Sequence, residues 1–127
     1  MSYSHHDRPL ASFLAQELSK HQVTIWSDEQ IKPGEEWEEA ISKALAEADV
    51  YMPLVSSTFL SSDFRIAELG AAYGLRKNIL PVLLEGDIKY MPFKFVDFQI
   101  LDARKMDKFE LVSKIIENTT TMHEYSK

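Results

Sequence analysis

The stretch FLSSDFRIAELGAA, residues 59–72, joins an apolar segment to a helix and indicates how the chain is organised. Two serines and an aspartate separate the two parts. Ser62 or Asp63 is a suitable N-cap, because a short polar side chain can accept a hydrogen bond from a free backbone N–H. The helix has one acidic residue, Glu68, among small and apolar neighbours. Alanine would pack as well at this position, so the carboxylate requires an explanation beyond packing.

Short apolar runs on either side of this stretch predict the strands of a sheet. Strands that are buried on both faces are nearly continuous in apolar residues rather than alternating. Such runs occupy residues 23–26, 50–55, 79–84 and 98–101. Proline cannot donate a hydrogen bond to a neighbouring strand, so Pro53 and Pro81 predict local irregularities in the second and third runs.

Amphipathic segments lie between and after these runs. Apolar residues recur at helical spacing in four segments, which contain Leu14, Ile41, Leu69 and Ile115. The second segment begins with a run of glutamates, where the helix dipole favours negative charge. Alternation of strand and helix predicts an α/β fold with a mainly parallel sheet that is covered by helices on both faces.

The start of the chain leaves little room for a first strand. Only residues 1–4 precede the turn at residues 5–7. Either the first strand is short or the chain has been cut from a longer parent, and we expect the second. The domain is predicted to span residues 1–118, followed by a polar tail at residues 119–127.

Length and composition exclude several classes of function. The 127 residues form one domain by length. There is no cysteine, so disulfides and thiolate metal sites are excluded. A net charge of −6 with scattered basic residues argues against a direct nucleic-acid partner. No apolar run approaches the roughly 20 residues that a membrane helix needs, so we expect a cytoplasmic protein without a membrane partner.

The carboxyl ends of the predicted strands are where a ligand site is expected, since ligands of open α/β sheets collect there. Polar segments at residues 3–8, 27–37, 56–68 and 85–95 would meet at this edge. The second segment contains the tight bend Pro33-Gly34. Ile31, at the tip of that loop, either mediates an interaction or packs against the domain, and the sequence leaves both open.

His5, His6 and Asp7 are the residues that most suggest a metal site. Adjacent histidines on a turn point in different directions, and no second cluster completes a ligand set. We therefore predict a solvated turn and no metal. The sequence also contains no P-loop, no GxGxxG motif and no nucleophile elbow.

Glu68 has two interpretations from the residues alone. A single helical glutamate is usually a solvated surface charge. The small and apolar neighbours instead favour a helix pressed closely against another element, which would place the carboxylate in a partly closed site. There it could stabilise a cationic sugar transition state, as the carboxylates of glycosidases do.

The order of these motifs resembles that of TIR (Toll/interleukin-1 receptor) domains over residues 2–102. SYSHHD and the helix after it resemble the first conserved box. Residues 23–72 resemble the second box and onward, with the BB loop around Pro33-Gly34, and NILPVLLE resembles the fourth strand. The segment IKPGEEWEEAISKALAEAD is more similar to prokaryotic-type TIR domains than to animal receptor adaptors.

The resemblance implies a flavodoxin-like fold with a central sheet of five parallel strands, and it assigns roles to several residues. In enzymatic members, a glutamate on the third helix is required to cleave the nicotinamide–ribose bond of NAD⁺, and Glu68 matches that position. Phe64 replaces an aromatic residue, often tryptophan, that lies four positions earlier, so weaker stacking on nicotinamide is expected. Ser4 matches a position that lines the substrate pocket. Gly34 and Trp37 match loop positions that approach the neighbouring subunit's site in assembled members.

The resemblance therefore implies an NAD⁺ glycohydrolase that gives nicotinamide and either ADP-ribose or a cyclic isomer of it. NAD⁺ is the substrate, and no cofactor is expected. Composite sites of this kind form when TIR domains stack head to tail, which ties activity to self-assembly with the BB loop as a switch. Such a domain would serve as the effector of an immune or defence protein.

Three other functions compete with this prediction. A non-enzymatic interaction scaffold is the main alternative; Glu68 favours the enzyme, whereas Phe64 slightly favours the scaffold. A phosphoacceptor receiver domain shares the fold but needs an aspartate at the end of the third strand, where this chain has Ser56-Ser57, and it is rejected. A nucleoside-processing relative with a glutamate on the same architecture remains open.

Overall fold

The computed structural model describes residues 1–21, 50–74, 76, 78–86 and 99–125. A short 3-10 turn, His5–Asp7, leads directly into the first helix. The elements are α1 (Arg8–Leu18), β1 (Val50–Tyr51), β2 (Leu54–Val55), α2 (Ser57–Leu60), α3 (Asp63–Gly74), β3 (Asn78–Ile79), β4 (Val82–Leu83), β5 (Leu101–Asp102) and α4 (Lys108–Tyr125). The predicted strand at residues 23–26 lies outside the described residues, as do Ile31, Pro33, Gly34 and Trp37.

The described strands pair in parallel, which confirms the predicted sheet. β1 pairs with β3 in a two-stranded sheet, and β4 lies between β2 and β5 in a three-stranded one. The paired residues are Val50–Asn78, Tyr51–Ile79, Leu54–Val82, Val55–Leu83, Val82–Leu101 and Leu83–Asp102. Parallel strands present all their carboxyl ends at one edge, so that edge gathers the polar residues that follow each strand.

The two sheets are joined across the prolines that were predicted to interrupt the strands. Leu80 N–H donates to the Tyr51 carbonyl at 3.0 Å, and Val82 N–H donates to the Pro53 carbonyl at 2.9 Å. The register is the same on both sides of this point, so β1 continues into β2 and β3 continues into β4. Pro53 accepts a ladder hydrogen bond but has no N–H to donate, which explains the local break.

The N-terminal residues occupy the place of a first strand. Ser2 forms a parallel bridge with Pro53. Ser2 N–H donates to the Met52 carbonyl at 3.0 Å, and Leu54 N–H donates to the Ser2 carbonyl at 2.8 Å. The start of the chain therefore lies beside β1 and β2, on the side opposite β3 and β4.

The strand after residue 98 lies later in the chain than predicted. Gln99 and Ile100 belong to no strand, and β5 consists of Leu101 and the exposed Asp102. A run of apolar residues is a weak guide at the margin of a sheet, because an edge strand need not be buried on both faces.

One face of the sheet packs against α1 and α4. Alternate residues of the central strands contribute to this core, as the period of two in a strand requires. Its members are Met1, Tyr3, Ala11, Leu14, Leu18, Val50, Met52, Leu54, Leu80, Val82, Ala103, Leu111 and Ile115. The apolar residues that recur at helical spacing in the first and last helices form the outer layer of this core.

The opposite face is also covered. Tyr51, Val55 and Leu83 alternate with the strand residues of the first core and are buried as well. Leu69 of α3 and Phe59 of α2 are buried without belonging to that first core. Helices therefore flank the sheet on both faces, as predicted. The α3 helix covers the face toward which the Ser2 side chain points.

The last helix runs to Tyr125, past the predicted domain boundary at residue 118. Thr119 is buried within it and donates its hydroxyl proton to the Ile115 carbonyl at 2.9 Å.

Among the described residues, no helix is both long and apolar enough to cross a membrane.

Candidate active site

Glu68 is completely buried, with 0% of its surface exposed. Its Oε1 accepts a hydrogen bond from Ser2 Oγ at 2.8 Å and another from Arg65 Nη1 at 2.9 Å. Ser2 reaches it because Met1 and Tyr3 point to the α1–α4 core, so the residue between them points to the other face. Glu68 is therefore a buried carboxylate fixed by two hydrogen bonds, and not a solvated surface charge.

Arg65 is the ionic partner of Glu68. The two residues are three positions apart on α3, which places them on one face of the helix. Only 8% of the Arg65 residue is exposed. A buried ion pair of this kind tolerates the loss of one partner poorly, since the remaining charge costs about 3–5 kcal/mol when it is left uncompensated.

Two aromatic rings border the Arg65 guanidinium. Its central carbon lies 5.1 Å from the centre of the Phe64 ring and 6.0 Å from the centre of the Tyr3 ring. Both distances are within the range of a cation–π interaction. Phe64 remains 40% exposed, whereas Tyr3 is buried. The carboxylate, the guanidinium and the two rings therefore form one continuous group, which we call the Glu68 cluster (Ser2, Tyr3, Phe64, Arg65, Glu68).

A chain of hydroxyls lies next to this cluster at the carboxyl edge of the sheet. Ser4 Oγ donates to Asp7 Oδ2 at 3.1 Å and lies 2.9 Å from Thr58 Oγ1. Thr58 Oγ1 lies 3.0 Å from Ser56 Oγ, which accepts from Phe59 N–H at 3.2 Å. Each hydroxyl has one proton, so every contact is satisfied when Ser56 donates to Thr58, Thr58 to Ser4, and Ser4 to Asp7.

Ser56 also caps α2, and this role predicts the effect of its removal. Its hydroxyl accepts the Phe59 N–H that has no partner within the helix. Replacing Ser56 with alanine is expected to lower the free energy of unfolding by about 1 kcal/mol, measured by urea denaturation. Exposed Ser61 is a matched control whose replacement by alanine should cost less, and an equal loss at both positions would contradict the capping role.

Glu85 follows β4 at the same edge of the sheet. Its Oε1 accepts hydrogen bonds from Ser57 Oγ at 2.7 Å and Ser57 N–H at 3.1 Å. These two donors lower the pKa of the Glu85 carboxyl below its usual range, with a smaller contribution from the charge of His6. Glu85 therefore remains ionised at neutral pH and ties the end of β4 to the start of α2.

A second ion pair lies at the end of β5. Arg104 Nε and Nη2 donate to the two carboxylate oxygens of Asp102 at 2.8 and 2.7 Å, and Arg104 Nη1 donates to the Gly86 carbonyl at 3.0 Å. The pair borders a cavity of about 390 Å³ that is also lined by Lys105, Met106 and Glu110. None of the residues lining this cavity belongs to the Glu68 cluster.

The Asp102–Arg104 pair predicts a pH dependence. Hydrogen bonds from Arg104 lower the pKa of Asp102 from 3.8 to about 2. A lowered folded-state pKa means that the pair stabilises the fold above pH 4 and that this contribution disappears as the pH falls toward 2. Both side chains are exposed, so the contribution is below about 1 kcal/mol. Replacing Arg104 with glutamine should raise the pKa of Asp102 toward 3.8 in an NMR titration, and an unchanged value would contradict the assignment.

The predicted site residues have different positions in the fold. Glu68 and Phe64 belong to one cluster, joined by Arg65. Ser4 belongs to the hydroxyl chain, two residues beyond the Ser2 that contacts Glu68. Two groups of predicted residues lie outside the described part of the chain: Gly34 and Trp37, which were predicted to contact a neighbouring domain, and the interaction loop of Ile31, Pro33 and Gly34. Their roles stay predictions.

The histidine turn contains no gathered ligand set. His5 and His6 are exposed on the 3-10 turn. In the part of the chain that the structure describes, no three histidine, cysteine, aspartate or glutamate side chains are grouped as a metal site requires. The absence of a metal stays a prediction.

Three members of the cluster were not predicted as site residues from the sequence: Ser2, Tyr3 and Arg65. Arg65 could have been found from its i, i+3 spacing to Glu68, which is typical of helical ion pairs. Ser2 could have been found from strand alternation, since a serine between two apolar residues points away from their core. Neither signal stands out unless the carboxylate is already known to be buried.

Comparison with known proteins identifies the family. A family model described as TIR domain matches residues 1–116. The fold is similar to the crystal structure of the TIR domain of the Toll-related receptor TRR-2 from Hydra magnipapillata. The TM-score is 0.74 at 18% sequence identity, over 93% of this chain and 94% of that one. A comparison with curated protein sequences finds no match. With the family model covering most of its length, the chain belongs to the TIR domain family.

Proposed function

We propose that this TIR domain is an NAD⁺ glycohydrolase that cleaves the bond between nicotinamide and ribose. The observation that supports the proposal is the buried carboxylate of Glu68, which accepts hydrogen bonds from Ser2 and Arg65 on the face of the sheet that α3 covers. A charge of this kind is costly to bury and is not needed for packing. A fixed carboxylate in a region of low dielectric stabilises a developing positive charge more strongly than it would in water.

The proposed reaction begins with loss of nicotinamide. The bond between ribose C1′ and the nicotinamide nitrogen breaks, and its electron pair goes to that nitrogen and neutralises its positive charge. The leaving group is thus already activated, and no general acid is required. Water then adds to C1′ and releases a proton to solvent, which gives ADP-ribose; attack by the adenine ring instead gives a cyclic isomer.

Each proposed residue has a distinct part in this reaction. Glu68 stabilises the oxocarbenium-like ribose and binds its hydroxyls. Phe64, which is 40% exposed, is proposed to stack on the nicotinamide. Ser4, in the hydroxyl chain, contributes hydrogen bonds near the ribose. Gly34 and Trp37 are proposed to complete the site from a neighbouring domain.

Self-assembly follows from this composite site. We propose that a second TIR domain supplies the missing wall when the domains stack head to tail, and that the loop containing Ile31, Pro33 and Gly34 controls the stacking. The partners are then NAD⁺ and other TIR domains, with no direct nucleic-acid or membrane partner. The proposed setting is the cytoplasm, as the effector part of an immune or defence protein.

A substrate panel tests the proposal. Concentrated protein should release nicotinamide from NAD⁺ and from nicotinamide riboside, both of which have a cationic leaving group, in a time course followed by proton NMR. It should release no base from adenosine or inosine, whose leaving groups are neutral and require protonation. Release from the neutral nucleosides instead would identify the nucleoside-processing alternative.

A non-enzymatic scaffold that docks on other TIR domains is the second candidate. The observation that favours it is the burial of Glu68 behind Arg65, since a carboxylate with 0% exposure contacts no substrate in this arrangement. The scaffold predicts that NAD⁺ is stable in the presence of the protein at every concentration, while the protein still self-associates. Sedimentation and nicotinamide release, measured on the same samples, distinguish the two candidates.

A further inference from the structure

We propose that Arg65 is a built-in competitor of the substrate: its guanidinium occupies the place of a planar cation between Glu68 and the Phe64 ring. This inference rests on the proposed function, because it concerns access of the cationic end of NAD⁺ to that site. The competitor would keep the isolated domain weakly active until the Arg65 side chain moves away. The basis is the geometry of the Glu68 cluster.

Arg65 contacts both groups that the substrate is proposed to need. Its Nη1 lies 2.9 Å from Glu68 Oε1, the carboxylate that is proposed to face the ribose. Its central carbon lies 5.1 Å from the centre of the Phe64 ring, the ring that is proposed to face the nicotinamide. A substrate cannot make both contacts while the guanidinium holds them.

The Arg65 side chain is also chemically similar to the cationic end of NAD⁺. The guanidinium and the nicotinamide ring of NAD⁺ are both planar and cationic, with the charge delocalised over the plane. Planar cations of this kind stack on aromatic faces and are attracted to carboxylates. A site formed by a carboxylate and two rings therefore has affinity for either cation, and the Arg65 side chain is always present at high effective concentration.

The Arg65 side chain can leave the site without refolding of the domain. Arg65 lies in the first turns of α3, next to the exposed Phe64. Rotation about its side-chain bonds would move the guanidinium toward solvent while the helix and sheet stay in place. This movement breaks the Glu68 ion pair and the contacts with the Phe64 and Tyr3 rings, and a bound planar cation would form equivalent contacts.

The expected size of the effect follows from population arithmetic. If the site is open in only a fraction of molecules, the apparent affinity for a cation is reduced by that fraction. A competitor that closes the site in nine molecules of ten weakens binding about tenfold. Removing the guanidinium should restore the full affinity for the cation.

The test is direct binding of a small planar cation. The probe is 1-methylnicotinamide, with neutral nicotinamide as the uncharged comparison, and dissociation constants come from NMR titration of the folded protein. Arg65→Gln is the principal variant, since glutamine retains a hydrogen-bond donor beside Glu68 but no charge. Arg76→Gln is the matched control, because Arg76 is exposed beyond the far end of α3.

The expected result is that Arg65→Gln binds 1-methylnicotinamide at least about tenfold more tightly than the wild type. Arg76→Gln should bind like the wild type, and neutral nicotinamide should show little change. The double variant Arg65→Gln with Glu68→Gln should lose the gain. Equal affinity in the wild type and Arg65→Gln, or weaker affinity in the variant, would overturn the proposal.

A second variant protects the test against loss of folding. Arg65→Lys keeps the positive charge beside Glu68 but lacks the planar group that stacks on the rings. It should bind the probe with intermediate affinity if Arg65 competes for the site. Wild-type affinity in Arg65→Lys, with only a lower melting temperature, would mean that Arg65 has a structural role alone and would overturn the inference.

Failure of the inference and failure of the proposed function give different results. Tighter cation binding by Arg65→Gln, without nicotinamide release from NAD⁺ by any protein, would support the competitor and contradict the enzyme. Nicotinamide release by the wild type, with no gain in cation binding in Arg65→Gln, would support the enzyme and contradict the competitor.

Discussion

Replacing Glu68 with glutamine is expected to reduce nicotinamide release from NAD⁺ by at least about a hundredfold. The reason is that the substitution removes the negative charge that is proposed to face the developing positive charge on the ribose. Glutamine keeps the shape of the side chain, and its Oε1 can still accept the hydrogen bonds that Ser2 and Arg65 now donate. A loss of nicotinamide release in Glu68→Gln would therefore report the effect of the charge and not of a change in side-chain shape.

Alanine at position 68 would be a poorer test. It would leave the guanidinium of Arg65, which is mostly buried, without its partner. Loss of one partner from a buried pair costs about 3–5 kcal/mol, so an inactive Glu68→Ala protein could simply be unfolded. Glu68→Gln should be checked by circular dichroism and urea denaturation before its rate is compared with that of the wild type.

A matched glutamate serves as the control for Glu68→Gln. Glu117 lies on α4 with its side chain 70% exposed, paired at 3.6 Å with Lys114. Glu117→Gln should leave both stability and nicotinamide release near wild-type values, because exposed pairs contribute little. A folded Glu68→Gln protein that releases nicotinamide at the wild-type rate would refute the assignment of Glu68.

Replacing Leu14 with alanine is expected to lower the free energy of unfolding by about 2–5 kcal/mol. Leu14 is fully buried in the core between α1, α4 and the sheet. The loss combines the apolar surface that is no longer buried with the cavity that remains. Urea denaturation of the two proteins measures the difference.

Gln16 on the same helix is the control for Leu14. It is exposed, so Gln16→Ala should change the free energy of unfolding by less than about 0.5 kcal/mol. A Leu14→Ala protein that is destabilised no more than Gln16→Ala would show that α1 does not pack on the sheet as described.

The parallel sheet and its covering helices could be predicted from the sequence because the signals are local. The apolar runs at residues 50–55 and 79–84 predict buried strands, and the breaks at Pro53 and Pro81 follow from the chemistry of proline. β5 was less well predicted, since the exposed Asp102 belongs to it and gives no apolar signal.

The candidate site was harder to predict because its contacts are distant in sequence. Ser2 and Glu68 are 66 positions apart in the sequence and come together only when the sheet and α3 have formed. No local sequence pattern predicts the hydrogen bond between them. The small and apolar neighbours of Glu68 made it a candidate, and the family resemblance implied its catalytic role, whereas its complete burial and its pairing with Arg65 came from the structure. The resemblance also gave no reason to expect a second cation at the site.

Nicotinamide release from NAD⁺ over a wide range of protein concentrations is the decisive test of the proposed activity. It should include the wild type and Arg65→Gln side by side. We expect the wild type to release nicotinamide at a rate that rises more steeply than its concentration, because a second domain is proposed to complete the site. Arg65→Gln should be faster at each concentration. No release from either folded protein at any concentration would contradict the account.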